Sequence, residues 1–191
     1  MTASLMQRLN EILPRITTKE FLSGKGLGNE IPFYIFDYPP EEELRIREHI
    51  HFLLVHIPKH KPGLQVKHIN LFDLVIDDLK QRNLLERAFK MQKEKGDEAI
   101  KKALRSPLRS ERLVQIFAEA TQPQDQDIVL LSGVGSVWPL VRSHNLLNNL
   151  QTVMGQTPLV MFYPGRYDGQ ALRLFGKIES VNYYRAFKLV P

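Results

Sequence analysis

Phe33-Tyr34-Ile35-Phe36-Asp37-Tyr38-Pro39-Pro40-Glu41-Glu42-Glu43 is the stretch that decides the fold. Its first four residues are continuously apolar and aromatic, the signature of a short strand buried on both faces. Two prolines and three acids then open a helix on which Ile46, Ile50, Leu53, Leu54 and Ile57 recur at helical spacing. Proline in a first turn lacks an N–H that the helix does not need there, and carboxylates offset the positive end of the helix dipole. A buried strand running through a tight turn into an amphipathic helix predicts an α/β sheet protein.

The same alternation continues on both sides. Upstream, residues 3–13 read as a helix with Leu5, Leu9, Ile12 and Leu13 on one face, and Gly24, Gly26 and Gly28 mark a connector. Downstream, Pro58 and Pro62-Gly63 end the first amphipathic helix, 64–69 reads as a strand, and Asn70 caps a helix over LFDLVIDDL. Residues 82–105 are helical with a break near Gly96-Asp97, and Ser106-Pro107 opens a helix that buries Leu113, Ile116, Phe117 and Ala120. A polar loop over 122–126 precedes a strand over 128–131, and Pro139 opens a helix carrying Leu140, Leu146, Leu147 and Leu150. Residues 159–163 form a fourth strand, Pro164-Gly165 and Asp168-Gly169 punctuate a loop, and 172–175 and 184–190 are strands. The expected fold is a mainly parallel sheet flanked by helices, Rossmann-like or degenerate P-loop-like without a phosphate loop. An antiparallel strand is expected at an edge after Gly165. One domain over 1–191 accommodates this, with a basic helical insertion at about 80–112.

The 191 residues contain no cysteine, which excludes disulfides, thiolate metal sites and cysteine nucleophiles. MTASLMQRLNEILPRI lacks the apolar block of a signal peptide, and no run of about 20 apolar residues could span a bilayer. The expectation is a soluble, cytoplasmic protein without membrane contact. The net charge of +5 is localised, because residues 80–112 hold eleven Lys/Arg against five acids. Lys90, Lys93, Lys101 and Lys102 could meet nucleic acid weakly and non-specifically through its phosphates. The plainer reading is a solvated helical face laced with ion pairs, since no Gly/aromatic nucleic-acid motif accompanies the charge.

Chemistry-bearing constellations are sparse. Three carboxylates and two prolines occupy the first strand–helix turn, where a phosphate loop would present bare N–H groups and a lysine. The turn therefore repels phosphate, and no binding of ATP or GTP is expected. Gly133, Gly135 and Ser136 before a helix, with Arg142 nearby, form a candidate anion site, against the alternative of a tight strand-to-helix turn. The string Ser132-Gly133-Val134-Gly135-Ser136 does not match the G-x-S-x-G nucleophile elbow, and no histidine follows His144. His49, His51, His56, His60 and His68 lack metal-ligand spacing. No catalytic residue, metal or cofactor is expected. After the fourth strand, Arg166, Tyr167, Asp168, Arg173 and Tyr184 form an Arg/Tyr-rich end, the best local candidate for a partner-binding surface, against an ordinary turn set by Asp168 and Gly169.

Four strings in order, NEIPFYIFDYPPEEELRIREHI (29–50), LLSGVGSVWPLVRSHNLLNNLQ (130–151), TPLVMFYPGRYDGQALRLFG (157–176) and NYYRAFKLVP (182–191), resemble the BrxB family of BREX phage-defence systems. The basic stretch 80–112 carries little of the likeness. The resemblance implies a place beside a PglZ-type protein with an alkaline-phosphatase-like domain, a DNA methyltransferase and a large ATPase, in telling host from phage DNA. It carries over no catalytic residue. The leading expectation is a non-catalytic adaptor that docks onto the PglZ-type protein or the methyltransferase. A nucleic-acid-binding subunit using 80–112 comes second, and a residual nucleotide-binding or hydrolytic domain third.

Overall fold

A computed structural model describes residues 4–23, 32–141, 143–179 and 186–191, apart from the side chains of 143–145, 147, 148, 151 and 179. The parallel sheet contains β1 (Phe33–Tyr38), β2 (Val66–Asn70), β3 (Ile128–Ser132), β4 (Leu159–Tyr167) and the short β7 (Phe187–Lys188), in the order β2-β3-β4-β1-β7. β4 also pairs antiparallel with β5 (Leu172–Leu174), which pairs in turn with β6 (Ile178–Glu179). The α/β expectation holds, with its antiparallel piece after Gly165.

Alternate residues of β1 divide the core. Phe33 and Ile35 pack with one apolar cluster, and Tyr34, Phe36 and Tyr38 with the other. The second cluster is covered by α1 (Leu5–Ile16), α2 (Lys19–Ser23) and α3 (Glu43–His60). The first is covered by α4 (Leu71–Gln81), α5 (Leu85–Leu104), α6 (Ser110–Thr121) and α7 (Ser143–Met154). Handedness explains the division. The β1-to-β2 connection passes β4 and β3 to reach one edge, whereas β2, β3 and β4 step back the other way. Right-handed crossovers in opposite directions must put their helices on opposite faces.

Several boundaries differ from expectation for local reasons. Pro14 and Pro58 do not end their helices. Each sits in a last turn, where a proline forfeits one hydrogen bond, and Lys61 N–H closes α3 onto the Ile57 carbonyl at 2.8 Å. Gly96, at φ 77°, breaks α5 where the sequence indicated. Pro107 and Pro139 do not open helices, since α6 starts at Ser110 and α7 at Ser143. β4 runs through Pro164-Gly165 instead of ending before them. Asn70 caps α4 as expected, its Oδ1 accepting from Phe72 N–H at 3.0 Å. The glycine connector around Gly24, Gly26 and Gly28 lies outside the described residues. No helix among the described residues is long and apolar enough to cross a membrane.

Candidate functional site

Beyond the carboxyl ends of β1 and β4, where α/β sheets place ligands, lies a cleft of about 760 Å³. β4 creates it by outrunning β1. Its residues to Pro164 pair with β1, and Gly165, Arg166 and Tyr167 then pair with Leu174, Arg173 and Leu172 of β5. Glycine is required at the bend, because a Cβ at Gly165 would lie 2.1 Å from the Arg173 carbonyl oxygen.

A part-buried ion pair braces this end. Arg8 of α1 donates to Asp37 Oδ1 at 2.7 Å, to the Asp37 carbonyl at 2.8 Å and to the Val190 carbonyl at 3.1 Å. The other Asp37 oxygen accepts the Tyr167 N–H at 3.0 Å. One carboxylate thus ties together α1, β1 and the β4–β5 hairpin. Tyr38 donates to Glu43 at 2.5 Å, and burial pushes the Tyr38 hydroxyl pKa up, with Glu43 adding to the shift. Glu43 also accepts from Arg47, and Glu42 pairs with Arg45, so only Glu41 of the three acids lines the cleft.

The Arg/Tyr-rich surface divides into two classes. Arg166 and Arg173 are exposed, directly opposite each other across β4 and β5, and both line the cleft beside Lys188. Tyr167 is a correction. It is 1 % exposed, and its hydroxyl donates towards the Ala186 carbonyl at 2.7 Å and the Gly169 carbonyl at 3.0 Å. It holds the hairpin and offers no tip to a partner. Asp168 is exposed but bound into its own turn, accepting Gln170 and Ala171 N–H at 2.9 and 2.8 Å. The Ala171 and Gln170 N–H groups hold its pKa below the usual value. Tyr184 lies outside the described residues.

The glycines of the candidate anion site pack against the protein itself. A Cβ at Gly133 would meet Asn70 Oδ1 at 2.0 Å, and one at Gly135 would meet Pro164 at 2.8 Å and Phe175 at 3.0 Å. Ser136 N–H donates to the Gly133 carbonyl at 3.2 Å, and the next helix starts only at Ser143. This placement favours the tight turn. Arg142 lies outside the described residues. Lys90, Lys93 and Lys102 are exposed and Lys101 is half-buried, with Lys90 3.9 Å from Glu94 and Lys101 2.6 Å from Glu98. Among the described residues no group of three or more His, Asp or Glu could hold a metal ion.

Similarity to known proteins bears on the whole of this architecture. The family described as BREX protein BrxB matches residues 67–189. A BREX protein BrxB of Bacillus cereus (strain H3081.97) is 44% identical over 188 residues, covering 96% of each chain. A BREX protein BrxB of Escherichia coli O9:H4 (strain HS) is 46% identical over 188 residues, covering 98% of this chain and 92% of that relative. The chain belongs to the BrxB family. It is thereby a protein of the BREX phage-exclusion systems. No solved structure matches it. The BrxB match takes in Arg166 and Arg173, and the two full-length BrxB relatives extend the likeness across β1 and its turn.

Three polar clusters of this BrxB-family fold escaped the sequence reading. They are the Arg8–Asp37 brace, a buried Asp78 held by Arg82 and Arg112, and a contact of 2.8 Å between His68 Nε2 and Ser132 Oγ. The last resembles a nucleophile–base pair, yet neither residue lines the cleft, and Ser132 is 6 % exposed. The burial of two histidines, His68 and His49, makes stability depend on pH. Burial lowers the pKa of His68, opposed by Asp73, and burial lowers that of His49, opposed by a hydrogen bond to the Leu9 backbone. With native values below the ordinary 6.5, the unfolded chain binds more protons in that window, so stability rises with pH through it. Melting temperature should therefore fall as pH drops below about 6.5. Each half-buried ring should contribute less than the ~1.4 kcal/mol per pH unit that one proton allows. His68→Gln should flatten part of the slope in thermal melts taken across pH.

Proposed function

We propose that this chain is a non-catalytic adaptor that docks an acidic surface of a larger BREX protein, the PglZ-type protein or the DNA methyltransferase, at the β1/β4 cleft. The observation that carries the reading is the pair Arg166 and Arg173, placed opposite each other on a braced hairpin at the cleft's edge. Arginine gives a partner carboxylate two parallel hydrogen bonds, and arginines are enriched among residues that dominate interface energy. Asp37, Glu41 and Asp168 line the same cleft; Asp37 is engaged by Arg8, and Asp168 by backbone N–H groups and by the charge of Arg173. Like charges directly opposite on neighbouring strands are unfavourable, and an acidic partner relieves that repulsion. The large ATPase is a further candidate contact within the same assembly.

The test is a double charge reversal, Arg166→Glu with Arg173→Glu, in the intact operon. Both side chains are exposed, so the melting temperature should stay within a few degrees of the parent. Capture of the PglZ-type protein and the methyltransferase by the tagged chain should fall by roughly 30-fold or more, and protection from phage should fall with it. A folded double variant that still captures both and still protects cells rejects this surface.

A further inference from the structure

A second cleft, of about 680 Å³, is lined by the α5–α6 junction and the turns that lead to α7. It is lined by the cations Lys101, Arg105 and Arg109, by the apolar Leu108 and Leu113, and by Trp138 and Pro139. Among the described residues no carboxylate lines it. Lys101 pairs with Glu98, and Arg109 stands 3.9 Å from Glu111, but both acids lie outside the cleft. Trp138 is 42 % exposed although it is large and apolar. Its ring stands perpendicular to Phe175, with centroids 6.3 Å apart at 89°, which fixes its orientation.

We propose that this cleft binds a short single-stranded nucleic acid segment, with a base stacked on Trp138 and neighbouring phosphates held by Lys101, Arg105 and Arg109. A cationic groove combined with an exposed, preset aromatic face is the arrangement that binds single strands without sequence preference. Carboxylates of an acidic peptide would satisfy the cations and leave the indole face in water. A nucleotide supplies both an anion and a flat π-face in every repeat. A duplex hides its base faces in the stack, so Trp138 selects for a single strand. The site is separate from the face that carries Lys90 and Lys93, which lie on the far side of the Gly96 break in α5. It shares no lining residue with the β1/β4 cleft, so either proposal can fail alone.

Trp138 is the one tryptophan of the chain, so its intrinsic fluorescence reports this cleft directly. The full chain is titrated with oligo-dT and oligo-rU of about 12 nucleotides, within the span of known single-strand sites. The same titration is made with the corresponding duplex and with polyglutamate. Saturable quenching by either single strand, well ahead of duplex and polyglutamate, supports the proposal, and the pair of strands identifies the sugar. By anisotropy of labelled strand, Trp138→Leu should weaken binding roughly tenfold. Arg105→Glu with Arg109→Glu should weaken it at least as much and flatten the salt dependence by about 1.4 in log–log slope. Melting curves confirm that each variant is folded. Lys90→Glu with Lys93→Glu should change affinity only a few-fold. The proposal is overturned by absence of quenching, by equal quenching with polyglutamate or duplex, or by a Lys90/Lys93 effect as large as that of the cleft variants.

Discussion

Tyr167→Ala is expected to destabilise the protein by about 3–5 kcal/mol, the range for emptying the site of a large buried aromatic. The ring shares its core cluster with Tyr163, Leu172 and Leu174, and its hydroxyl reaches the carbonyls of Ala186 and Gly169. In a chain of this length such a loss corresponds to a melting temperature lower by roughly 6–20 °C. Tyr167→Phe separates the two contributions. It keeps the packing and deserts the carbonyls, at about 1–3 kcal/mol. Urea unfolding of both variants is the measurement. A Tyr167→Ala protein as stable as the parent would contradict the burial described above. Any functional test at this end of the molecule must therefore spare Tyr167, because its loss of activity would report on folding.

The error over Tyr167 has a definite origin. Pro164-Gly165 looked like the end of a strand, and residues of a loop can all turn outward. The strand in fact continues to Tyr167, and successive strand residues must face opposite ways, so Arg166 outside entails Tyr167 inside. Proline is tolerated because Pro164 stands at the end of the β1 ladder, opposite Tyr38, where its carbonyl accepts Phe175 N–H at 2.8 Å. Local pattern did yield β1, the core face of α3, the Asn70 cap and the break at Gly96, since each depends on residues a few positions apart. Strand order did not follow from it. That β1 lies between β4 and β7 depends on pairings across more than 120 residues, for which one sequence holds no local signal.

The sites show the same division. Arg166 and Arg173 were legible as residue types, but their opposition is a matter of register between β4 and β5. Trp138 was visible only as a member of a family-like string, and its cleft exists because the α5–α6 junction brings Arg105 and Arg109 to the same cleft. The basic stretch 80–112 hid a distinction that composition cannot make. Arg82 and Arg112 clamp the buried Asp78, whereas Lys90, Lys93 and Lys102 reach no buried partner among the described residues. Asp78 gave half of that away. It falls on the face of α4 that buries Leu71, Val75 and Leu79, a core position for a charge and thus a demand for a partner. The spacing could not say that the partner waits on α6.

Arg112→Ala should accordingly be among the most damaging single changes outside the apolar core, at about 3–5 kcal/mol. The Asp78 side chain is 2 % exposed, and one of its oxygens takes two hydrogen bonds from Arg112, with Nε at 3.0 Å and Nη2 closer still. Removing Arg112 leaves a buried carboxylate with only Arg82, 3.1 Å from its other oxygen. Arg82 is 37 % exposed, so water screens its contribution, and Arg82→Ala should cost nearer 1 kcal/mol. The decisive variant is the double change Asp78→Leu with Arg112→Met, which removes the charge and its partner together and should recover most of the loss. Urea unfolding of Asp78→Leu, Arg112→Met and the double variant closes a thermodynamic cycle. A small cost for Arg112→Ala, or a double variant no better than the worse single, would show that the pair does not set the stability of this face. The clamp fastens α4 to α6, and Arg82 also reaches the Pro107 carbonyl at 3.2 Å, beside the turn that leads to Arg109. Loosening it should therefore also weaken single-strand binding in the Trp138 cleft, whereas the apolar double variant, which restores packing without the charge, should retain that binding.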